Sequence, residues 1–143
     1  MQPDEKGTQK DLIFYRIETA QSDIKAAEIL LNAKEFRGAN NRAYYGIYHA
    51  ISAIHALDGN AYKRHKDALA NFNKNYIKTE IFPRKLGRKI VEAEEIRHAS
   101  DYDDFYISLQ PLDIFVIYND VCYLFPHHPF LMTHFLIHNI FPA

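Results

Sequence analysis

The segment Asn40-Asn41-Arg42-Ala43-Tyr44-Tyr45-Gly46-Ile47-Tyr48-His49-Ala50 continues into Ile51-Ser52-Ala53-Ile54-His55-Ala56-Leu57 and stops at Asp58-Gly59-Asn60. It contains no proline and no period-two alternation, and Asp-Gly-Asn is a strong turn signal, so a helix is predicted from about residue 40 to 57. At about 100° per residue, Ile47, Ile51 and Ile54, flanked by Tyr44 and Tyr48, form one stripe, the expected core face. Arg42 and His49, seven positions apart, share the opposite face with Tyr45, Gly46, Ala53 and Ala56. That face is expected to be dispensable for the core, and its small residues to allow close approach by another helix.

The same periodicity extends outward. Thr8 and Asp11 have capping-box spacing, with Asp replacing the usual Glu or Gln. Ile13, Ile17, Ala20, Ile24, Ala27 and Leu31 follow at steps of four and three, predicting a long amphipathic first helix. Asp11, Arg16, Glu18, Asp23, Lys25 and Glu28 are assigned to its solvated surface. A third helix is expected over roughly 66–76. A fourth opens near Pro83, a residue favoured in a first helical turn, and carries Leu86, Ile90, Ala93 and Ile96. The fold class is all-α, an antiparallel bundle of four to five helices.

The composition fits one such domain. The chain has 143 residues, 48% of them hydrophobic, with a formal net charge of -1, so any attraction to nucleic acid must come from a local patch. The single Cys122 precludes an internal disulfide and suits a reducing cytoplasm. The N-terminal residues lack an apolar signal region, so a cytoplasmic location is expected. After residue 107 the character changes: no Lys or Arg follows Arg97, and Pro111, Pro126, Pro129 and Pro142 interrupt a stretch dense in aromatics. Residues 1–107 are therefore read as the bundle and 108–143 as an atypical hydrophobic tail, expected to pack irregularly. Prolines and histidines make that tail a poor membrane span, so no membrane association is expected. Within it, His127, His128, His134 and His138 lack nearby carboxylates or a second cysteine, and no metal site is assigned.

The Arg42–His49 pair suits phosphodiester cleavage in RNA. A histidine with an ordinary pKa of about 6.5 exchanges protons with a ribose hydroxyl or a leaving oxygen. Arginine grips phosphate through a planar fork and opposes the charge of the transition state. No metal or other cofactor is needed for that scheme. Because one histidine does not readily serve as both acid and base, two copies meeting across a two-fold axis would complete the site. The bland alternative is a solvated helix face, since such pairs also arise by chance.

The stretch from Asn41 to Ala50 resembles the second-helix signature of HEPN-domain proteins. The likeness continues through Lys63-Arg64-His65-Lys66, Phe72, Ile81-Phe82-Pro83, Leu86 and Arg97-His98-Ala99-Ser100-Asp101-Tyr102. It covers about residues 11–106. The resemblance implies a helical bundle, usually a homodimer, often encoded beside a minimal nucleotidyltransferase. Active members are metal-independent ribonucleases, commonly toxins, with an Arg-x(4–6)-His motif that Arg42 and His49 match. It thus implies RNA as substrate and a nucleotidyltransferase-type antitoxin as partner. The alternative is a non-catalytic binding partner of that nucleotidyltransferase. Some toxin members carry a partner-modified tyrosine five residues after the arginine; that position is Ile47 here.

Asn41, Tyr45 and Arg97 are the candidate substrate-binding residues. Arg97 lies in register with Leu86, Ile90 and Ala93, and an ion pair with Asp101 four residues on is its structural role, with RNA phosphate as the alternative. His65, which follows the basic run Lys63-Arg64, is read as a solvated helix cap, with a second catalytic base as the alternative. Lys63, Arg64, Lys66, Lys74, Lys78, Arg84, Lys85, Arg88 and Lys89 would steer RNA if they line one groove.

Overall fold

The computed structural model describes residues 7–102. The expectations for the tail 108–143, including its four histidines, lie outside the described residues.

Four helices follow one another: α1 (Gln9–Asn32), α2 (Phe36–Leu57), α3 (His65–Phe72) and α4 (Arg84–Tyr102). A single π-helical turn, Asn73–Ile77, extends α3. The all-α bundle expected from periodicity is the observed fold. The main packing is α1 against α2, while α4 and α3 close over the remainder of α2.

α1 begins with the reciprocal box read from the sequence. Thr8 Oγ1 accepts from the Asp11 backbone N–H at 3.2 Å, and the Thr8 N–H donates to Asp11 Oδ2 at 2.8 Å. These bonds satisfy donors that a helix start leaves without partners. The Thr8 hydroxyl, donating to Asp11 Oδ2 at 2.7 Å, and then the Thr8 N–H hold the Asp11 carboxyl below its usual pKa. At the other end, the Glu35 N–H bonds to Leu30 O (2.8 Å) and the Lys34 N–H to Leu31 O (3.0 Å), with Lys34 at φ 61°. α2 ends the same way: the Asn60 N–H bonds to His55 O (2.9 Å) and the Gly59 N–H to Ala56 O (3.1 Å), with Gly59 at φ 75°. Both are Schellman ends, but only the second places glycine in the left-handed position that side chains disfavour.

α2 starts four residues earlier than the sequence suggested. Its N-cap, Glu35, makes no side-chain capping bond, so no local signature marked the start. The core centres on Ile47, Ile51 and Ile54, all at most 2% exposed, packed with Ala20, Ile24, Ala27, Leu86, Ile90 and Ala93. A second layer is aromatic. Phe72 stacks on Phe82 with centroids 5.5 Å apart, and Tyr76 packs on both and hydrogen-bonds Asp58 and Ile54 O. Burial, with the Asp58 carboxylate second, pushes the Tyr76 phenol well above its ordinary range.

The small residues of α2 do not lie open. Ala53 and Ala56 are buried, and a Cβ added at Gly46 would sit 2.8 Å from Ile24 Cδ1 and 3.3 Å from Ala20 O. The close approach they permit is that of α1 in the same chain. The expectation that this side of α2 is dispensable for the core is thereby corrected.

Candidate functional site

Asp23, assigned from sequence to the solvated face of α1, is 8% exposed and points at α2. A buried carboxylate is costly unless it is paired and hydrogen-bonded, and Asp23 has both kinds of partner. Arg42 Nη1 donates to Oδ1 at 3.1 Å, and His49 Nδ1 lies 2.8 Å from Oδ2. One carboxylate therefore holds the two motif residues, two turns apart on α2, on a common face. With Nδ1–H donating to Asp23, the His49 tautomer is fixed and Nε2 is the atom left for proton exchange. The side chains of Arg42 and His49 keep 40% and 27% of their surface, so a ligand can reach both. A hollow of about 270 Å³ bounded by Tyr15, Arg16, Tyr48, His49, Ser52 and Tyr62 adjoins the imidazole. Arg16, also assigned to solvent, donates from Nη1 to Ser52 O at 2.7 Å along the rim of that hollow.

The three candidate substrate contacts converge on the same face. Asn41 Oδ1 accepts from Arg42 Nη2 at 3.0 Å, while Asn41 Nδ2 lies 3.4 Å from Asp101 Oδ2 on α4. Its amide is engaged at both ends and links α2 to α4. Below it, buried Asn40 repeats that link to Ser100 Oγ at 3.4 Å. The Tyr45 ring lies under two guanidinium groups, Arg42 at 5.0 Å and Arg97 at 5.6 Å from its centroid. Arg97 also sits 5.2 Å over the Tyr44 ring and pairs with Asp101 at 3.4 Å. The i,i+4 pair read from sequence exists, and the same arginine reaches the site. Its two roles are compatible.

The basic residues of the middle of the chain divide. Lys66, Lys78, Arg84 and Arg88 line a groove of about 930 Å³ between α3, the π turn and α4, floored by Leu69, Phe72, Ile77 and Ile90. Arg64 is instead tied to Asp67, with Nε 2.7 Å from Oδ2.

Sequence reasoning missed Asp23 and placed His65 wrongly. Asp23 falls three residues after Ala20 and four before Ala27, so the apolar stripe itself places it at the interface. His65 does not stand in solvent. Its ring stacks on Tyr48 with centroids 3.8 Å apart, and its Nδ1 is 3.5 Å from Tyr44 Oη. A loop returning from Gly59 brings it there, and nothing local signals that return.

Among the described residues no cluster of three or more His, Cys, Asp or Glu could hold a metal ion, and no helix is long and apolar enough to cross a membrane. Two Methanocaldococcus jannaschii proteins, named "Putative toxin MJ0142" and "Putative toxin MJ0605", are 32% and 30% identical over 61% and 60% of this chain. The chain spans 59% and 64% of their lengths, under two thirds of each. A Thermotoga maritima protein, named UPF0332 protein, is 29% identical over 93 residues, 65% of this chain and 70% of its own. The HEPN domain matches residues 14–114, most of the sequence and all four helices but the first five residues of α1. The chain belongs to the HEPN domain family.

Proposed function

We propose that the protein is a metal-independent endoribonuclease acting as the toxin of a toxin–antitoxin pair, with Arg42 and His49 as its catalytic residues. The observation that carries this reading is the single Asp23 carboxylate that orients both side chains toward one open face. In the reaction the 2′-oxygen of the ribose attacks the adjacent phosphorus and the bond to the 5′-oxygen breaks. His49 Nε2 exchanges a proton with one of those two oxygens, and the Arg42 fork binds the non-bridging oxygens as their charge grows. Asp23 opposes the imidazolium charge whenever His49 carries the proton. Tyr45, flanked by Arg42 and Arg97, offers a ring face to a base beside the scissile phosphate. The names of the two M. jannaschii relatives support the toxin part of the reading. It carries with it a cytoplasmic location, a nucleotidyltransferase-type antitoxin and a homodimer.

The test is cleavage of single-stranded RNA by the purified protein in EDTA. His49→Ala should lower the rate roughly 100-fold or more, the scale for losing a general acid or base. Arg42→Lys should also be poor, because an ammonium cannot reproduce the bidentate fork. An RNA with 2′-deoxyribose at the scissile nucleotide should resist cleavage. If wild type and His49→Ala cut equally, or neither cuts, the catalytic reading falls and a non-catalytic partner of the nucleotidyltransferase replaces it.

A further inference from the structure

His49 is not the only imidazole against the Tyr45–Tyr48 pair. The His49 ring lies 6.1 Å from Tyr45 and 5.5 Å from Tyr48, centroid to centroid; His65 lies 5.4 Å and 3.8 Å from the same two rings. The two histidines come from different elements, α2 and the first residue of α3, and flank one small surface that Arg42 and Arg97 overlook. The Tyr44 hydroxyl beside His65 Nδ1 is held protonated, because burial and the Glu94 carboxylate push its pKa up. When Nδ1–H donates to that hydroxyl oxygen, the lone pair of the neutral imidazole is on Nε2, which has no hydrogen-bond partner among the described residues.

We propose that His65 is a second catalytic residue of the ribonuclease site, accepting the 2′-hydroxyl proton while His49 protonates the leaving 5′-oxygen. The proposal rests on the ribonuclease reading above and assigns the two halves of its proton transfer. The 2′-oxygen–phosphorus bond forms as His65 takes the proton, and the phosphorus–5′-oxygen bond breaks with its electron pair on oxygen. That oxygen receives the His49 proton. His65 ends protonated and His49 neutral, and water restores both. Arg42 and Arg97 lie on either side of Tyr45 to bind the non-bridging oxygens.

The electrostatics suit this division. Tyr44, Tyr45, Tyr48 and His49 face His65 from α2, and Glu94 and Arg97 face it from α4. Its own helix start adds exposed Lys66 and the Arg64–Asp67 pair. Partial burial, then the Arg97 and His49 charges, lower its proton affinity, and Glu94 opposes them only in part. A histidine so placed is neutral at physiological pH and ready to accept.

The experiment is the pH–rate profile of RNA cleavage in EDTA for the full chain, wild type beside His65→Phe, which preserves the stack, and His65→Gln, which preserves a polar side chain. Each should lower kcat about 100-fold. Each should also abolish the fall in rate on the acid side, while KM stays near the wild-type value. In wild type, a bound 2′-deoxy oligonucleotide should shift the imidazole resonances of both His49 and His65. Wild-type kcat in either variant, a loss of rate with an unchanged pH profile, or a His65 signal indifferent to the oligonucleotide overturns the proposal and leaves the Arg42–His49 reading intact. Wild type that cuts no RNA overturns both readings together.

Discussion

The two faces of α2 have the same backbone and opposite requirements. The isoleucine face needs only apolar volume, and Ile47, Ile51 and Ile54 disappear into a core built by α1 and α4. The Arg42–His49 face stays half open, yet its side chains are held by residues distant in sequence: Asp23 on α1, His65 at the start of α3, Arg97 and Asp101 on α4. Packing on the first face is interchangeable. Geometry on the second is specific, and changes on the two faces should separate stability from activity.

The largest expected effect lies on the apolar face. Ile51→Ala removes a side chain that is 0% exposed and should cost roughly 2–5 kcal/mol, read as a fall in the denaturant midpoint. Activity per folded molecule should be retained. On the other face Asp23→Asn should do the reverse. The proton-transfer group remains but loses its oriented acceptor, so RNA cleavage should fall roughly 10- to 100-fold, no more than the lower end of what the group itself contributes. Its unfolding midpoint should move far less than that of Ile51→Ala. If the two variants lose stability and activity in the same proportion, the distinction between the faces fails.

A histidine on the core side sharpens the contrast. His55 is 1% exposed, donates from Nε2 to Ala68 O at 2.9 Å, and leaves Nδ1 without a hydrogen-bond partner among the described residues. Burial lowers its proton affinity, with the Ala68 carbonyl and Asp58 only partly opposing. The unfolded chain therefore takes up a proton first as pH falls below about 6.5, and stability drops at up to ~1.4 kcal/mol per pH unit for one such group. His55→Gln keeps a donor but cannot titrate, so its stability deficit relative to wild type should narrow between pH 7.5 and pH 5. A constant deficit would show that His55 does not titrate on unfolding.

The smallest effect concerns the ends of the two longest helices. Lys34 occupies the left-handed position that Gly59 occupies at the end of α2. Lys34→Gly removes a strain of roughly 1–2 kcal/mol but adds freedom to the unfolded chain worth roughly 0.4–1 kcal/mol. The expected gain is about 0–1.6 kcal/mol, a rise of at most a few degrees in Tm. Gly59→Ala should destabilise for the converse reason.

What was legible in the sequence was local. The Thr8–Asp11 box, the isoleucine stripe, the Asp58-Gly59 stop and the start after Pro83 depend on residues within a turn or two of one another. The start of α2 was misplaced because Glu35 supplies no cap and Lys34 gives no hint of a left-handed turn. The motif pair was visible, but its setting was not. Asp23 reads as one more charged residue on a charged face until α2 lies against it, and His65 reads as one residue of a basic run until the loop folds it over Tyr48. Gly46 misled in the same way: absence of a side chain signals a close neighbour without saying which one.

The α1–α2 hairpin is fastened at both ends. Leu30 O and Leu31 O close the turn between the helices, and at the open end Gln9 Nε2 reaches across to Ala56 O at 2.6 Å and Leu57 O at 3.1 Å. Contacts within such a hairpin span at most about fifty residues, and short sequence separations form early in folding. Asp23, Arg42 and His49 all lie inside it. A chain emerging from the ribosome would thus assemble the Asp23 clamp with Arg42 and His49 before α3 and α4 exist, with the rest of the surface arriving as the later helices dock.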